Sequence, residues 1–224
     1  MDKKEGEKGA FIVIEGIDGA GTTTQTSKLA ARLRSEGRTV FATREPSDGA
    51  IGKLIRRVLT GDETVGEARA ASGDRTAQWS AMALLFAADR VDHVAREIEP
   101  ALARGEIVIS DRYDASSIGY QSLTSGGNAE AARDWIRLLN QRALRPGLTI
   151  VISVAAEIAE RRRRFRAGPP ELYEKRDVQR ALALFYSELP KHMPGDRIVI
   201  IDGAASATEV HERVYAAVAA VMKG

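Results

Sequence analysis

Residues 11–25 read FIVIEGIDGAGTTTQ and combine an apolar run, a glycine-spaced turn and a run of threonines that opens a predicted helix. Gly16, Gly19 and Gly21 let the backbone turn so tightly that successive amide hydrogens can converge on phosphate oxygens, and the following helix adds its positive N-terminal end. The usual pattern is G-x-x-x-x-G-K-[ST]; here Gly16 and Gly21 keep the glycine spacing, and Thr22 stands where lysine is expected. The stretch therefore predicts a phosphate-binding loop that lacks its lysine.

The composition is typical of one soluble globular domain. Of the 224 residues, 44% are hydrophobic and 29% are charged, and the formal net charge is +2. This charge is too small to require a nucleic-acid partner, and no apolar run approaches the roughly 20 residues of a membrane-spanning helix. We expect a flexible lead-in at residues 1–9 and a single domain at residues 10–224, with no membrane role.

Cysteine and histidine usage restricts the possible metal chemistry. The chain has no cysteine and three histidines, which excludes disulfides and thiolate metal sites and leaves little material for a zinc centre. Any metal is expected to be magnesium that arrives with nucleotide. Residues 1–9 are charged and lack the apolar core of a secretion signal, which predicts a cytoplasmic protein.

Short apolar runs alternate with helical patterns, which is typical of parallel strands joined by crossover helices. Strands are predicted at residues 10–14, 39–42, 107–110, 149–154 and 197–201. Helices are predicted at residues 23–36, 49–59, 76–104 with a stop near Pro100, 129–140, 156–166, 174–189 and 206–222. The pattern predicts an α/β fold with a parallel sheet flanked by helices.

Polar and charged residues follow four of the predicted strands. Parallel sheets bind ligands beyond the carboxyl ends of their strands, so these positions are where a site is expected. The residues concerned are Asp18, Thr43, Arg44, Glu45, Pro46, Asp111, Arg112, Tyr113, Asp202 and Gly203. Their recurrence at four strand ends favours one shared site over four ordinary solvated loops.

Five segments together resemble the thymidylate kinases, which pass the terminal phosphoryl group of ATP to thymidine monophosphate (dTMP). The segments are EGIDGAG at 15–21, TREP at 43–46, FAADR at 86–90, DRYDASSIGYQ at 111–121, and an arginine-rich stretch leading into PPELYEK at 169–175. The resemblance runs nearly end to end. It implies a three-layer P-loop NTPase fold with a five-stranded parallel sheet, a mobile lid at about residues 157–175, and the use of ATP and Mg²⁺.

The resemblance implies an acceptor pocket around Phe86 and Arg90. The two residues are four apart on a predicted helix, so both project from one face. In similar kinases the phenylalanine stacks on the thymine ring and the arginine bonds to its carbonyl oxygen. Alternatively, Phe86 is a core residue and Arg90 pairs with Asp89 or Glu97.

Further substrate contacts follow from the same resemblance. Asp18 would bond the ribose 3'-hydroxyl, or alternatively cap a helix N-terminus. Tyr120 would crowd the ribose 2' position and favour deoxyribose, or alternatively would simply pack in the core. The complete implied set is Asp18, Arg44, Glu45, Pro46, Phe86, Arg90, Arg112, Ser117, Tyr120, Gln121, Tyr173 and Glu174.

The resemblance implies that the ATP site consists of the phosphate loop and of the residues that follow the third predicted strand. The ATP-binding residues would be Gly16, Ile17, Asp18, Gly19, Ala20, Gly21, Thr22, Thr23 and Thr24. Thr23 and Asp111 would hold magnesium, and Arg112 would hold the acceptor phosphate against the donor. The alternative for Asp111 and Arg112 is a surface ion pair.

Loss of the loop lysine requires positive charge from elsewhere, because phosphoryl transfer depends on neutralising charge on the transferred group. Some thymidylate kinases carry a catalytic arginine in the lid, and residues 161–166 contain five arginines. We expect Arg161, Arg164 or Arg166 to act in catalysis with Asp111 and Arg112. Five arginines in six helical positions cannot all face one ligand, and the alternative is a solvated helix face.

The function predicted is phosphorylation of dTMP to dTDP for dTTP synthesis, by a homodimer. No general base is assigned, because the acceptor phosphate is already ionised at neutral pH. Two alternatives remain: a kinase for another nucleoside monophosphate, or a nucleotide-binding protein that Thr22 has weakened as a catalyst.

Overall fold

The computed structural model describes residues 9–66, 76–164 and 175–222. Its core is a five-stranded sheet in which every pairing is parallel and the strand order is β2-β3-β1-β4-β5. The strands are β1 Phe11–Glu15, β2 Val40–Arg44, β3 Ile107–Asp111, β4 Leu148–Ser153 and β5 Ile198–Asp202. All five predicted strands are confirmed within one or two residues of their predicted ends.

The central strand β1 shows why the sheet has two covered faces. Its residues are all buried, and alternate side chains enter different apolar clusters. Ile12 and Ile14 belong to the largest core cluster, whereas Phe11 and Val13 pack with a second cluster that includes Ile98. Successive strand residues point to opposite faces, so both faces of the sheet are apolar and covered. The predicted three-layer α/β fold is confirmed.

The helices connect these strands as crossover elements. They are α1 Thr22–Ser35, α2 Ala50–Thr60, α3 Thr76–His93, α4 Glu99–Ala103, α5 Asp114–Leu123, α6 Ala129–Leu139, α7 Ala156–Arg163, α8 Arg176–Ser187, α9 Leu189–His192 and α10 Ala207–Met222. Within the described ranges, no helix is long and apolar enough to cross a membrane.

Two helical regions differ from the sequence-based expectation. The helix expected to stop near Pro100 continues to Ala103, because a π-helical segment, Val94–Ile98, precedes Pro100 and places the proline in the first turn of α4. Helical residues lie on both sides of Pro100, so the π-helical segment changes the hydrogen-bond pattern next to a residue that has no N–H to donate. The helix α5 is absent from the expected helices. Its sequence, DASSIGYQSL, contains serine and glycine, which have little helical propensity.

Strand register brings the predicted site residues to one edge of the sheet. Asp111 pairs in register with Ile14 of β1 and with Arg44 of β2, and Glu15 pairs with Val151 of β4. The carboxyl ends of these strands therefore lie side by side, and the phosphate loop follows directly from the central one.

Candidate active site

The phosphate loop joins β1 to α1 in a conformation that needs its glycines. Gly19 and Gly21 have φ values of 86° and 102°, in the left-handed region that disfavours other residues. A Cβ at Gly19 would also lie 2.5 Å from the carbonyl oxygen of Ala159 in α7. The N-cap of α1 is Gly21, so Asp18 is not its cap and that alternative is wrong. The amide hydrogens at the start of α1 are available to an anion.

Thr23 and Asp111 meet beside this loop. The Thr23 hydroxyl donates to Oδ2 of Asp111 at 2.5 Å. The other carboxylate oxygen, Oδ1, is buried and has no hydrogen-bond partner among the described residues. A hydroxyl beside a buried carboxylate oxygen with a vacant lone pair is a donor set that suits a hard divalent cation such as Mg²⁺.

Arg112 lines the cleft and has a strained backbone conformation. Its φ is 73°, the one positive φ of a non-glycine residue in the described ranges. Its guanidinium donates to the Gly16 carbonyl oxygen at 2.8 Å, to Ser116 Oγ at 3.1 Å and to Asp18 Oδ1 at 2.6 Å. Burial disfavours its charge, but Tyr120 and Asp18 outweigh that effect and place the pKa of Arg112 well above its ordinary value. The side chain therefore remains a cation in the cleft.

Asp18 is held from two sides. One carboxylate oxygen accepts from Arg112, and the other accepts from Gln179 Nε2 at 3.0 Å. Gln179 lies on α8 and is fully buried. Tyr120 is also buried, and this burial, reinforced by nearby Asp18, raises the pKa of its hydroxyl. Sequence reasoning missed Gln179, which lies 161 residues from its partner in a helix without a recognisable motif.

Glu15, the last residue of β1, is a buried carboxyl group behind the loop. It accepts hydrogen bonds from the backbone N–H of Tyr113 and Ser116 and from the hydroxyls of Ser116 and Tyr186. Burial raises the pKa of Glu15 to about 7, although Arg112 and these donors act in the opposite direction. Sequence reasoning placed Glu15 in a motif but gave it no role.

Arg90 lines the cleft and forms a buried polar network. It is 1% exposed and donates to Glu45 Oε2 at 2.7 Å and to Ser117 Oγ at 3.0 Å, and it also bonds Oδ1 of Asn140. The alternative pairing of Arg90 with Asp89 or Glu97 is wrong.

Asp89 and Glu97, the two carboxylates that were possible partners of Arg90, contact other residues. Asp89 accepts from the N–H and hydroxyl of Ser47, at 2.7 and 2.6 Å. Glu97 lies 3.6 Å from the imidazole of His93. Arg90 Nε is buried without a hydrogen-bond partner among the described residues.

Phe86 is half-buried at the wall of the cleft. It packs against a small apolar cluster formed by Ile55, Val58 and Met82. One side of the ring therefore belongs to a core cluster while the residue also lines the cleft. The packing agrees in part with the alternative of a core residue, and stacking on thymine stays a prediction.

These residues surround one cleft of about 620 Å³, which is within the range of small-molecule sites. The predicted residues that line it are Asp18, Gly19, Gly21, Thr22, Thr23, Thr24, Arg44, Glu45, Pro46, Phe86, Arg90, Arg112, Ser117, Tyr120 and Gln121. The lining also includes Tyr113, which was expected only as a strand-end residue, and Arg162 and Arg163, which belong to the predicted arginine run without having been singled out. Four further lining residues were not predicted: Arg56, Leu59, Thr60 and Ser116.

Several predicted residues lie elsewhere. Gly16, Ile17, Ala20 and Asp111 belong to the loop and strand end but do not line the cleft. Arg166, Tyr173 and Glu174 lie outside the described residues, as does most of the second half of the predicted lid.

The arginines of α7 that reach the cleft differ from those expected. Arg162 donates to the carbonyl oxygens of Ala20 at 3.2 Å and Gly203 at 2.9 Å, and Arg163 bonds the carbonyl oxygen of Asp18. Arg161 and Arg164, the predicted catalytic residues, are exposed and do not line the cleft. The guanidinium of Arg164 instead pairs with Glu160 at 2.9 Å. Among the described arginines of residues 161–164, Arg162 and Arg163 are the two that line the cleft.

Comparisons with known proteins agree with this geometry. A family model described as Thymidylate kinase matches residues 14–214. A probable thymidylate kinase from Thermococcus onnurineus is 41% identical over 209 residues, which cover 93% of this chain and 96% of the relative. A probable thymidylate kinase from Pyrococcus abyssi is 36% identical over 94% of this chain and 96% of its own length. A thymidylate kinase from Bifidobacterium longum is 43% identical over 69% and 71% of the two chains.

Proposed function

The chain belongs to the thymidylate kinase family, and from that premise we propose that it transfers the terminal phosphoryl group of ATP to dTMP. A phosphate oxygen of dTMP forms a bond to the γ-phosphorus of ATP, the bond from that phosphorus to the bridging oxygen breaks, and the products are dTDP and ADP. The observation that carries the proposal is a single cleft lined by both the phosphate loop and the pocket around Phe86 and Arg90.

The phosphate loop and Arg112 would each position one of the two anionic substrates, ATP and dTMP. The amide hydrogens that begin α1 would hold the ATP phosphates, as helix N-termini do for phosphate groups. The Arg112 guanidinium, partly buried and bonded to Gly16 and Asp18, would hold the acceptor phosphate in line with the donor. Such placement is the principal protein contribution in phosphoryl transfer.

The thymidine part of the acceptor would lie in the rest of the cleft. The Phe86 ring would stack on thymine, and Arg90 would donate to its carbonyl oxygen. Asp18, fixed by Gln179 and Arg112, would accept from the ribose 3'-hydroxyl.

Magnesium is proposed as the metal that accompanies ATP. Thr23 and Asp111 would hold it, supported by the vacant Asp111 oxygen described above. When bound, this ion neutralises charge on the phosphate oxygens. The protein's part is to keep this carboxylate buried beside the loop.

Arginines on α7 are proposed to replace the charge of the absent loop lysine. Arg162 and Arg163 are supported by their contacts with the loop carbonyl groups. No catalytic role is proposed for Arg161 and Arg164, which do not line the cleft, and the role of Arg166 stays a prediction.

A homodimer in the cytoplasm is proposed as the working form. Leu84 and Val91 on α3 support the dimer, because they are 50% and 56% exposed and lie two helical turns apart on one face. No nucleic-acid partner is proposed.

The proposed function is tested by incubating the purified chain with ATP, magnesium and dTMP, UMP, CMP or dCMP, and quantifying ADP and nucleoside diphosphate. We expect turnover of dTMP well above that of the other acceptors. Preferred turnover of a different monophosphate would replace dTMP as the substrate. ATP binding without transfer to any acceptor would identify a nucleotide-binding protein without kinase activity.

A further inference from the structure

The buried carboxyl group of Glu15 is not used by the mechanism above. It is 0% exposed and occupies the end of the central strand, immediately before the first glycine of the phosphate loop. Burying a carboxyl group costs free energy unless hydrogen bonds replace its lost solvation. The hydrogen-bond partners of Glu15 therefore indicate its role.

The Oε1 atom of Glu15 caps a helix from a distant part of the chain. It accepts from the Tyr113 N–H at 2.8 Å and from the Ser116 N–H at 3.2 Å. Tyr113 is the N-cap of α5 and supplies no capping bond from its own side chain. Glu15 therefore satisfies amide groups that α5 would otherwise leave unpaired in a buried position.

The same bonds bracket the strained residue Arg112. The left-handed φ of 73° at Arg112 lies directly before the Tyr113 amide that Glu15 holds. On the other side, the Arg112 N–H donates to the Ile14 carbonyl oxygen at 2.9 Å. An unfavourable backbone conformation persists only when the surrounding structure over-determines it. Here β1 supplies a bond on each side of the strained residue.

The Oε2 atom of Glu15 is linked through Ser116 to the guanidinium of Arg112. Ser116 Oγ donates to Glu15 at 2.7 Å and accepts from Arg112 at 3.1 Å, so it bridges the two side chains. Tyr186 on α8 donates to the same carboxylate oxygen at 2.9 Å.

We propose that Glu15 is a positioning residue for the acceptor site: its carboxyl oxygen caps α5 and keeps Arg112 in the left-handed conformation that directs its guanidinium at the acceptor phosphate. The inference rests on the proposed function, and it concerns the length of the side chain rather than its charge. What the site requires is an acceptor oxygen at the position of Oε1, whether or not the group is ionised.

Two conservative variants separate the effect of side-chain length from the effect of charge. Glu15→Gln removes the charge but keeps a carbonyl oxygen at the same distance, and its amide can donate to the two hydroxyls, which both accept. Glu15→Asp keeps the charge but withdraws the oxygens by about 1.5 Å, the length of one carbon–carbon bond. Tyr186→Phe is the matched control, because it removes one donor to Oε2 and leaves both backbone bonds to Oε1 intact.

The measurements are the dissociation constants of dTMP and of ATP by calorimetry, and kcat/KM for dTMP. Glu15→Gln and Tyr186→Phe are expected to stay near wild type. Glu15→Asp is expected to lower kcat/KM for dTMP by about 100-fold, the effect of misplacing a reactive group by roughly 1 Å, and to weaken dTMP binding while leaving ATP binding unchanged.

The outcomes distinguish this inference from the proposed function. A wild-type chain that neither binds nor phosphorylates dTMP overturns both. An active wild type with Glu15→Asp equal to or better than Glu15→Gln overturns the positioning role alone, and so does equal loss of dTMP and ATP binding in Glu15→Asp. If Glu15→Asp fails to fold, Glu15→Gln decides the matter, since loss of dTMP affinity in a folded Gln variant contradicts the inference.

Discussion

Replacing Arg90 by methionine should destabilise the protein far more than loss of an ordinary ion pair. The Arg90 and Glu45 side chains are 1% and 4% exposed, and their closest approach is 2.7 Å. Methionine fills similar space but leaves the Glu45 carboxylate buried without its cation. Breaking a buried pair in this way costs about 3–5 kcal/mol, which corresponds to a fall of about 10 °C in Tm for a chain of this size.

A matched surface pair sets the comparison. Arg104 lies 2.6 Å from Glu106, but the Arg104 side chain is 58% exposed. Arg104→Ala should cost about 0–1 kcal/mol, because solvent screens the pair and its side chain is free to move. The two free energies of unfolding come from urea titrations followed by circular dichroism.

A double-mutant cycle separates the pair from the rest of the network. Adding Glu45→Gln to the Arg90→Met variant removes the uncompensated anion, so the double variant should be more stable than the sum of the single effects by about 1–3 kcal/mol. An Arg90→Met cost no larger than that of Arg104→Ala, or strict additivity in the cycle, would refute the interpretation of Arg90 and Glu45 as a coupled buried pair.

Three further predictions concern the metal, the buried acid and the dimer. Asp111→Asn should raise the magnesium concentration needed for half-maximal turnover while leaving the fold intact; an unchanged requirement, measured by metal titration, would exclude Asp111 as a ligand. Folding raises the pKa of Glu15 from 4.5 to about 7, so the folded protein binds more protons than the unfolded chain between these pH values. As pH rises through that window, wild type should therefore lose stability relative to Glu15→Gln, by up to about 3 kcal/mol. A pH-independent difference in urea midpoints would contradict the raised pKa. Leu84→Glu with Val91→Glu should convert the proposed dimer to a monomer in light scattering, and an unchanged mass would remove that face from the interface.

The sheet and the phosphate loop were predictable because their signals are local. Strands of mostly apolar, β-branched residues such as β1 differ in periodicity from the intervening helices, and the spacing of Gly16 and Gly21 identifies a loop within six residues. The approach of Arg112 to the loop follows from the parallel topology, which brings strand ends to one edge, whereas the strand order β2-β3-β1-β4-β5 was not predicted.

The supporting contacts were not predictable, because their partners are remote in sequence. Arg90 and Asn140 are 50 residues apart, and Glu15 and Tyr186 are 171 apart. No local pattern connects such residues. A buried acid within a motif was the one available signal for Glu15, and burial becomes known only when the layers are assembled.

The arginine run shows a similar limit. Sequence alone indicated that the five arginines of residues 161–166 could not all face the site, since a helix rotates about 100° per residue. Which ones do so depends on how α7 packs against the loop. That packing directs Arg162 and Arg163 inward, and Arg161 and Arg164 outward.

The replacement of the loop lysine by arginines of α7 is tested most directly by comparing kcat for dTMP phosphorylation in Arg162→Ala, Arg163→Ala and Arg161→Ala, each with Thr22 or with Thr22→Lys. We predict that Arg162→Ala or Arg163→Ala lowers kcat by about 100-fold, that Arg161→Ala stays near wild type, and that Thr22→Lys restores part of the loss. Equal kcat values in all three arginine variants, or a loss in Arg161→Ala alone, would contradict the assignment of the missing charge to Arg162 and Arg163.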